Sequence, residues 1–266
     1  MGRERLSSLF ARTRAEGRAV LLPYMTAGLP DPGTSLALFE AMAGAGADGF
    51  EVGIPYTDPL MDGPVIQRGS ERAIEAGTSP DVALELVAAV VESTGLPVLV
   101  MTYANPILHR GVDEFVVAAA EAGADGVIVP DLPVEESGPL RRAADRHGLG
   151  VVQFVAPTSG TARIEAVAAA DPCFVYAVAE MGVTGERDEA GGRLEGLVGR
   201  IRAVTDVPVV AGVGISTPSQ AAAAARVADG VIVGSALVRR VLEADNPDAA
   251  ASELAQVVAD LAAAVR

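Results

Sequence analysis

One phrase recurs three times along the chain and constrains its fold more than any other feature. It reads AGADGFEVGIP, AGADGVIVPDLP and VADGVIVGSA. Each copy has the form of a helix end, a glycine-containing turn and a short Val/Ile-rich strand buried on both faces. The equivalent residues Asp48, Asp125 and Asp229 are 77 and 104 residues apart, roughly two and three units of about 35 to 39 residues. This spacing is typical of βα units in an internally repetitive barrel.

The remaining apolar runs complete a set of eight strands separated by alanine-rich amphipathic segments. We expect the strands near Val20–Thr26, Gly49–Ile54, Val98–Tyr103, Gly126–Pro130, Val151–Val155, Phe174–Val178, Val209–Val213 and Val231–Val233. We expect helices at Leu6–Glu16, Ser35–Ala45, Asp81–Ser93, Val112–Ala122 and Ala249–Val265. Because eight strands alternate with helices and no GxGxxG follows the first strand, the sequence predicts a single (β/α)8 TIM-barrel domain over residues 1–266 rather than a doubly wound open sheet.

The chain contains no lysine, only two histidines and one cysteine, and this limits its chemistry. Schiff-base and pyridoxal mechanisms require a lysine amine, and a catalytic zinc usually takes its ligands from a His or Cys cluster. Cys173 lies between apolar residues, which predicts a buried, inert thiol. Any proton transfer in an enzyme of this composition falls to carboxylates.

The formal net charge of −15 argues against binding to nucleic acid or to an anionic membrane surface. No apolar run reaches the length of a membrane span, and the first twenty residues lack the apolar core of a signal peptide. We therefore expect a cytoplasmic protein.

Three carboxylates lie in and just after the second predicted strand, in the segment EVGIPYTDPLMDGP. The site of such a barrel lies at the carboxyl ends of its strands, so Glu51 is expected to point into the barrel mouth, where burial raises its pKa. We favour proton transfer over a purely structural buried glutamate. For Asp58 and Asp62, each followed within two residues by proline, a role in making the turn remains an equal alternative.

Two glycine-rich turns, GVGIS and VGSA, follow the seventh and eighth strands, where many barrels bind phosphate through backbone N–H groups. The segment AEMGVTGERDEAGG after the sixth strand has the composition of a lid, with a solvated loop as the alternative. His109 and His147 are expected to be surface or capping residues.

With these motifs in order, the chain resembles the tryptophan synthase α subunit family over essentially its whole length. The segment Glu51–Gln67 matches the family signature, and PDLPVEES, YAVAEMGVTG, GVGIS and VGSA follow in the expected order. The resemblance implies a lyase of tryptophan biosynthesis that cleaves indole-3-glycerol phosphate to indole and glyceraldehyde 3-phosphate by a retro-aldol reaction. It also implies that the barrel needs neither a metal nor a cofactor.

By the same resemblance, Glu51 transfers protons at indole C3 and at the 3′-hydroxyl, and Asp62 binds the indole N–H. The resemblance assigns further binding roles to the first-strand residue Tyr24, the pocket residues Met101, Ile128 and Val213, the glycerol-side residue Tyr176, the lid residue Thr184, and the phosphate cradle Gly185, Gly214, Gly234 and Ser235. Many members have Phe where this chain has Tyr24. Members also often have Ser-Arg and one more small residue where this chain has Ala179, Glu180 and Met181.

The family works with a pyridoxal-dependent β subunit in an αββα heterotetramer, which makes a β subunit the expected partner. Pro55, Asp58 and Asn105 lie on loops that match the family's β-contacting face. A stand-alone lyase that releases free indole is the closest alternative, and the altered lid favours it. A non-catalytic activating subunit is a further alternative, which the presence of both Glu51 and Asp62 argues against. A sugar-phosphate isomerase is disfavoured because neither histidine is placed as an electrophile.

Overall fold

Parallel strands make up the sheet of the computed structural model, which describes residues 2–178, 187–212 and 214–266. Nine strand segments occur in these residues: β1 Val20–Thr26, β2 Phe50–Gly53, β3 Val98–Met101, β4 Gly126–Ile128, β5 Gly150–Val151, β6 Gln153–Val155, β7 Val175–Val178, β8 Val209–Gly212 and β9 Gly230–Val233. Their order is β5-β4-β3-β2-β1-β9-β8-β7-β6, and every paired neighbour is parallel.

The sheet closes because its two edge segments are halves of one strand. β5 pairs with β4, β6 pairs with β7, and only Val152 separates β5 from β6 along the chain. The N–H of Val152 still donates to the carbonyl of Val127 at 3.1 Å, so the ladder continues across the break. The eight predicted strands are therefore present in a barrel, and the open-sheet alternative is wrong.

Twelve helices occur in the described residues, and they include all five that we expected individually. Their bounds are α1 Gly2–Ala15, α2 Pro32–Gly44, α3 Pro64–Glu75, α4 Pro80–Thr94, α5 Ala104–Arg110, α6 Val112–Glu121, α7 Gly138–His147, α8 Thr161–Ala169, α9 Arg187–Arg202, α10 Pro218–Ala225, α11 Ser235–Glu243 and α12 Pro247–Ala264. Three of them, α3, α5 and α11, are additional helices within the loops after β2, β3 and β9. No helix in this part of the chain combines the length and the apolarity that crossing a membrane requires.

Four helices begin with the same local signal, a side chain that caps the first turn followed by a proline. A capping oxygen accepts from a free N–H of the first turn, and proline fixes a helical φ where no N–H is needed. The four pairs are Asp31-Pro32, Ser79-Pro80, Thr217-Pro218 and Asn246-Pro247. At the opposite end, α4 and α7 stop at Gly95 and Gly148, whose φ angles of 66° and 70° are left-handed.

The aspartates of the repeated phrase explain why the phrase recurs. The N–H of Asp48 donates to the carbonyl of Leu21 at 3.0 Å, and the N–H of Leu21 donates back to Asp48 Oδ2 at 2.9 Å. We call this reciprocal pair an aspartate bridge. Equivalent bridges, with distances of 2.7 and 2.9 Å, join Asp125 to Val98 and Asp229 to Val209. Each bridge ties the amino ends of two adjacent strands together.

Arginines neutralise all three aspartate bridges. Arg18 binds Asp48 through two N–H groups, each at 2.8 Å. Arg5 contacts Asp125 at 3.1 Å, and both Arg14 and Arg202 reach Asp229. A buried carboxylate is stable only where hydrogen bonds and counter-charges replace its water. The aspartate bridges and their arginines thus stabilise the amino-terminal end of the barrel.

We predict that Asp125→Ala destabilises the fold by about 3 kcal/mol, because the buried N–H of Val98 loses its acceptor and the Arg5 guanidinium loses its partner. Asp81→Ala is the control, since its ion pair with Arg110 is exposed, and it should cost less than about 1 kcal/mol. Urea denaturation at pH 7 measures both variants. Equal losses would show that the aspartate bridge adds nothing beyond a surface ion pair.

Candidate active site

A cavity of about 690 Å³ opens at the carboxyl ends of the strands, where the sequence predicted the site. It brings together nine residues named from the sequence: Tyr24, Glu51, Asp62, Met101, Ile128, Tyr176, Gly214, Gly234 and Ser235. Thr184, Gly185 and Val213 lie outside the described residues, as do Ala179, Glu180 and Met181. Asp58 is exposed and does not line the cavity, so Asp62 is the carboxylate that the loop after β2 supplies.

Glu51 lies in β2 between the facing residues Tyr24 of β1 and Leu99 of β3. Only 4% of its surface is exposed, and its Oε2 atom has no hydrogen-bond partner among the described residues. Burial, with a smaller contribution from the charge of Asp62, raises the pKa of Glu51 to about 8. A buried carboxyl group without a partner in an open cavity is suited to act on a bound molecule rather than to hold the fold.

Asp62 lies in the turn that leads into α3. Its N–H donates to the carbonyl of Pro59 at 3.0 Å, and its own carbonyl accepts from Gln67 Nε2 at 2.9 Å. These backbone contacts fix the turn and leave the carboxylate on the cavity side. Burial raises the pKa of Asp62 to about 6, and a hydrogen bond from Tyr103 opposes that rise.

The two carboxyl groups therefore have different protonation states near neutral pH. With pKa values of about 6 and about 8, Asp62 is mostly ionised and Glu51 mostly protonated midway between them, at about pH 7. Two acids whose environments separate their pKa values can serve as a proton donor and as an electrostatic stabiliser in one site. The described part of the site thus combines a group that can donate a proton with a group that carries a negative charge.

Aromatic rings line the walls of the cavity. Tyr176 stacks on Phe154 with ring centroids 5.0 Å apart, and the Tyr24 hydroxyl lies 3.3 Å from Thr26 Oγ1. Glycines make room for both tyrosines: a Cβ atom at Gly53 would lie 2.3 Å from Tyr24 Oη, and one at Gly212 would lie 2.1 Å from Tyr176 Oη. The walls fit a flat aromatic group.

The glycine-rich part of the cavity lining has the features of an anion site. Gly214 has a φ of +78°, which favours glycine, and Gly234 precedes the amino terminus of α11. The first N–H groups of a helix have no acceptor within it and attract anions. Arg239 and Arg240 of α11 also line the cavity.

Sequence reasoning did not identify four of these residues. Phe154, Arg239 and Arg240 line the cavity without belonging to a glycine-rich or acidic motif. Tyr103, two residues after β3, accepts a hydrogen bond from the N–H of Met61, the residue before Asp62, and no local sequence signal indicates this contact. Three further groups considered from the sequence, His109, His147 and Cys173, do not line this cavity. His109 and His147 are exposed in the last turns of α5 and α7, and burial raises the pKa of the Cys173 thiol to about 12.

A second cavity, of about 550 Å³, lies at the amino-terminal end of the barrel between α1, α10 and α12. Its lining includes Arg14, Arg18 and Asp229, which belong to the arginine-neutralised aspartate bridges. Because these charges already have partners, this cavity does not have the features of a catalytic site.

We predict that Glu51→Gln gains stability relative to the parent chain as pH rises from about 5 to 8. The folded state raises the pKa of Glu51 from 4.5 to about 8, so within that window the folded chain binds more protons than the unfolded chain. The stability of the parent chain then falls as pH rises, by about 1.4 kcal/mol for each pH unit within the window, and the glutamine variant lacks this loss. Urea denaturation of both proteins across this range is the measurement. If the free energy of unfolding varied with pH in the same way for both proteins, Glu51 would be ionised in the folded chain at neutral pH.

Comparison with known proteins agrees with this geometry. The family model for the tryptophan synthase alpha chain matches residues 10–266. The tryptophan synthase alpha chains of Streptomyces coelicolor and Salinispora tropica are 46% and 48% identical to this chain, with alignments that cover 98% of it and 96% and 98% of the relatives.

Solved structures give the same result. A structure of Mycobacterium tuberculosis tryptophan synthase has a TM-score of 0.89 at 42% identity, covering 98% of each chain. The tryptophan synthase subunit alpha of Legionella pneumophila has a TM-score of 0.89 at 33% identity, again covering 98% of each chain. The fold and the family expected from the sequence are confirmed, and this chain belongs to the tryptophan synthase alpha chain family.

Proposed function

We propose that the chain is the lyase of its family, cleaving indole-3-glycerol phosphate to indole and glyceraldehyde 3-phosphate, with Glu51 and Asp62 as its catalytic groups. The observation that carries this assignment is the pair of carboxyl groups that line one cavity, of which Glu51 is buried with no hydrogen-bond partner for its Oε2 atom among the described residues. A retro-aldol cleavage needs an electron sink, and a C3-protonated indole ring provides one without a Schiff base.

Glu51 begins the cycle in its protonated form and delivers that proton to indole C3, giving an iminium-like ring. The resulting Glu51 carboxylate then takes the proton of the substrate's 3′-hydroxyl as the bond between indole C3 and C3′ breaks. The electrons of that bond enter the ring and restore indole, while the hydroxyl carbon becomes the aldehyde. Glu51 is again protonated at the end, which agrees with the direction in which burial shifts its pKa.

Asp62 has the complementary role. Its ionised carboxylate accepts a hydrogen bond from the indole N–H and stabilises the positive charge that develops when C3 is protonated. The apolar and aromatic residues Met101, Ile128 and Phe154 supply walls for the ring. This separation of tasks supports Asp62 as a stabiliser rather than a turn residue alone.

The glycine-rich side of the cavity would take the phosphate. Gly214, Gly234 and the amino terminus of α11 offer backbone N–H groups, and Arg239 and Arg240 add cations to a cavity that also holds two carboxyl groups. Tyr176 also lines the cavity, and by resemblance we assign it to contact with the glycerol chain. Thr184 and Gly185, which we propose by resemblance as lid and phosphate residues, lie outside the described residues.

We predict that Glu51→Gln and Asp62→Asn each lower kcat for indole release by roughly 10² to 10⁴-fold, because an amide of the same size neither transfers the proton nor stabilises a cation. Substrate binding by Glu51→Gln should stay within a few-fold of the parent chain. Asp58→Asn is the matched control, since Asp58 is on the same loop but outside the cavity. Near-parental turnover of either active-site variant would reject the role given to that residue.

We also propose that a tryptophan synthase β subunit is the partner of this chain. Three large apolar side chains are exposed beside the mouth of the barrel, Leu60 at 79%, Met61 at 63% and Leu108 at 66%. The loops that carry them are linked by a hydrogen bond from Asn105 Nδ2 to Tyr56 Oη at 2.8 Å. Asp58 and Asn105 of the β-contacting loops are exposed beside them, whereas Pro55 is buried. Exposed apolar groups grouped at one face support protein association there.

We predict that Leu108→Asp weakens association with a β subunit by at least about tenfold, because it places a charge within the apolar surface. Ala263→Asp on α12 is the control for an added exposed carboxylate. Sedimentation velocity gives the affinity, and indole formation with and without saturating β subunit gives the stimulation. If the parent chain neither associates with a β subunit nor is stimulated by one, the stand-alone lyase replaces the partnered enzyme as the better proposal.

A further inference from the structure

Hydrogen bonds fix the backbone of the turn on both sides of Asp62. The peptide group before Asp62 is held by the Asp62 N–H, which donates to the carbonyl of Pro59 at 3.0 Å. The peptide group after Asp62 is held by the Asp62 carbonyl, which accepts from Gln67 Nε2 at 2.9 Å. Because each peptide group is planar, fixing the two groups that flank a Cα atom fixes the direction of its Cα–Cβ bond. These two contacts therefore set the direction in which the Asp62 side chain leaves the backbone.

The contact on the carboxyl side of Asp62 depends on one side chain. Among the described residues, Gln67 is the only group that donates to the Asp62 carbonyl. The backbone N–H of Gln67 donates to the carbonyl of Gly63 at 3.1 Å instead. Gly63 has no Cβ atom to restrict its backbone and provides no side-chain cap for α3. Without the Gln67 amide, the peptide group between Asp62 and Gly63 would lose the hydrogen bond that holds it.

Gln67 extends from a helix that is itself firmly packed. On α3, the neighbouring residues Val65, Ile66 and Gly69 are buried. Gly69 lies so close to α11 that a Cβ atom at this position would be 2.9 Å from Val238 Cγ1. The amino terminus of α11 supplies backbone N–H groups to the proposed phosphate site. Gln67 thus connects the turn that carries Asp62 to the helix pair that borders the phosphate end of the cavity.

The Gln67 side chain is half-buried and does not line the cavity, so it touches no reacting atom. Its amide carries no charge, and its effect on the site is therefore one of geometry. The segment Glu51–Gln67, which matches the family signature, ends at this residue. A role for Gln67 in placing Asp62 gives the last residue of that segment a physical purpose.

We propose that Gln67 is the positioning residue of Asp62: its Nε2–H group holds the peptide group after Asp62 and so directs the carboxylate into the cavity. This inference rests on the proposed function, in which Asp62 stabilises the protonated indole. A carboxylate turned away from the indole N–H would stabilise the transition state less. Ring and phosphate contacts are made by other residues and would remain. Gln67 therefore acts on kcat through Asp62.

The test compares Gln67→Met with Gln256→Met in the full chain. Methionine has a similar length and helix propensity but no N–H group. Gln256 is an exposed residue of α12, outside the cavity, and donates from Nε2 to Asp260 Oδ1 at 3.1 Å. In Gln67→Met, kcat for indole release should fall on the order of tenfold, because a small misplacement of a stabilising group is costly, while KM should stay within about threefold. Gln256→Met should leave both unchanged.

Gln67→Glu is a second variant, which keeps the shape of the side chain and, when ionised, has no hydrogen to donate. Urea denaturation establishes that each variant is folded. A similar fall in kcat for Gln67→Glu would assign the effect to the lost N–H group rather than to the changed volume. Parental kcat in either folded variant would overturn the proposal.

A double-mutant cycle separates positioning from a general structural role. In an Asp62→Ala background no carboxylate remains to be directed, so Gln67→Met should change the rate by less than about twofold. Single-turnover measurements with enzyme in excess make these low rates accessible. If Asp62→Ala is impaired and Gln67→Met still lowers its rate on the order of tenfold, the role of Gln67 is wrong while the proposed function stands. Near-parental turnover of Asp62→Ala would instead reject the proposed role of Asp62, on which this inference rests.

Discussion

Nearly every strand residue of this barrel is buried, so the polar groups at the two ends of the strands need partners that the sequence must supply. At the amino ends, Asp48, Asp125 and Asp229 satisfy backbone groups of neighbouring strands and are themselves neutralised by arginines. At the carboxyl ends, Glu51 Oε2 has no such partner in the described residues. Carboxylates at the amino ends of the strands thus stabilise the barrel, whereas the Glu51 carboxyl group in the cavity is available to a bound molecule. The residues that stabilise the fold are therefore different from those proposed to act in the site.

The sequence predicted the repeating architecture well because the repeat is a local signal. A helix end, a glycine turn and an apolar strand are each specified within about ten residues, and the capped prolines mark helix starts directly. The sequence did not predict α3, α5 and α11, which lie inside the loops after β2, β3 and β9. It located Glu51 from its strand position, but it left Asp58 and Asp62 equivalent, because only the path of the turn decides which carboxylate faces the cavity.

The residues that sequence reasoning missed act across large separations in the chain. Tyr103, from the next βα unit, accepts a hydrogen bond from the N–H of Met61, the residue before Asp62, and Phe154 contacts Tyr176 from a neighbouring strand. Neither contact leaves a pattern in the local sequence. The ionisation of the two carboxyl groups is likewise a property of the assembled site, since burial is the main cause of both shifts. Composition restricted the expected chemistry to carboxylates, and the tertiary structure raises the pKa values of the two carboxyl groups to different extents.

The glycine at the end of β2 has a consequence for how this pocket can change over time. The Tyr24 hydroxyl occupies the space that a side chain at Gly53 would need, so the two positions constrain each other. Removing the Tyr24 hydroxyl alone would not make room for a side chain, because the ring atoms Cζ and Cε2 would still lie 2.7 and 2.8 Å from a Cβ atom at position 53. A side chain at position 53 therefore requires the ring at position 24 to move or to be replaced by a smaller residue. These two pocket positions can change only together.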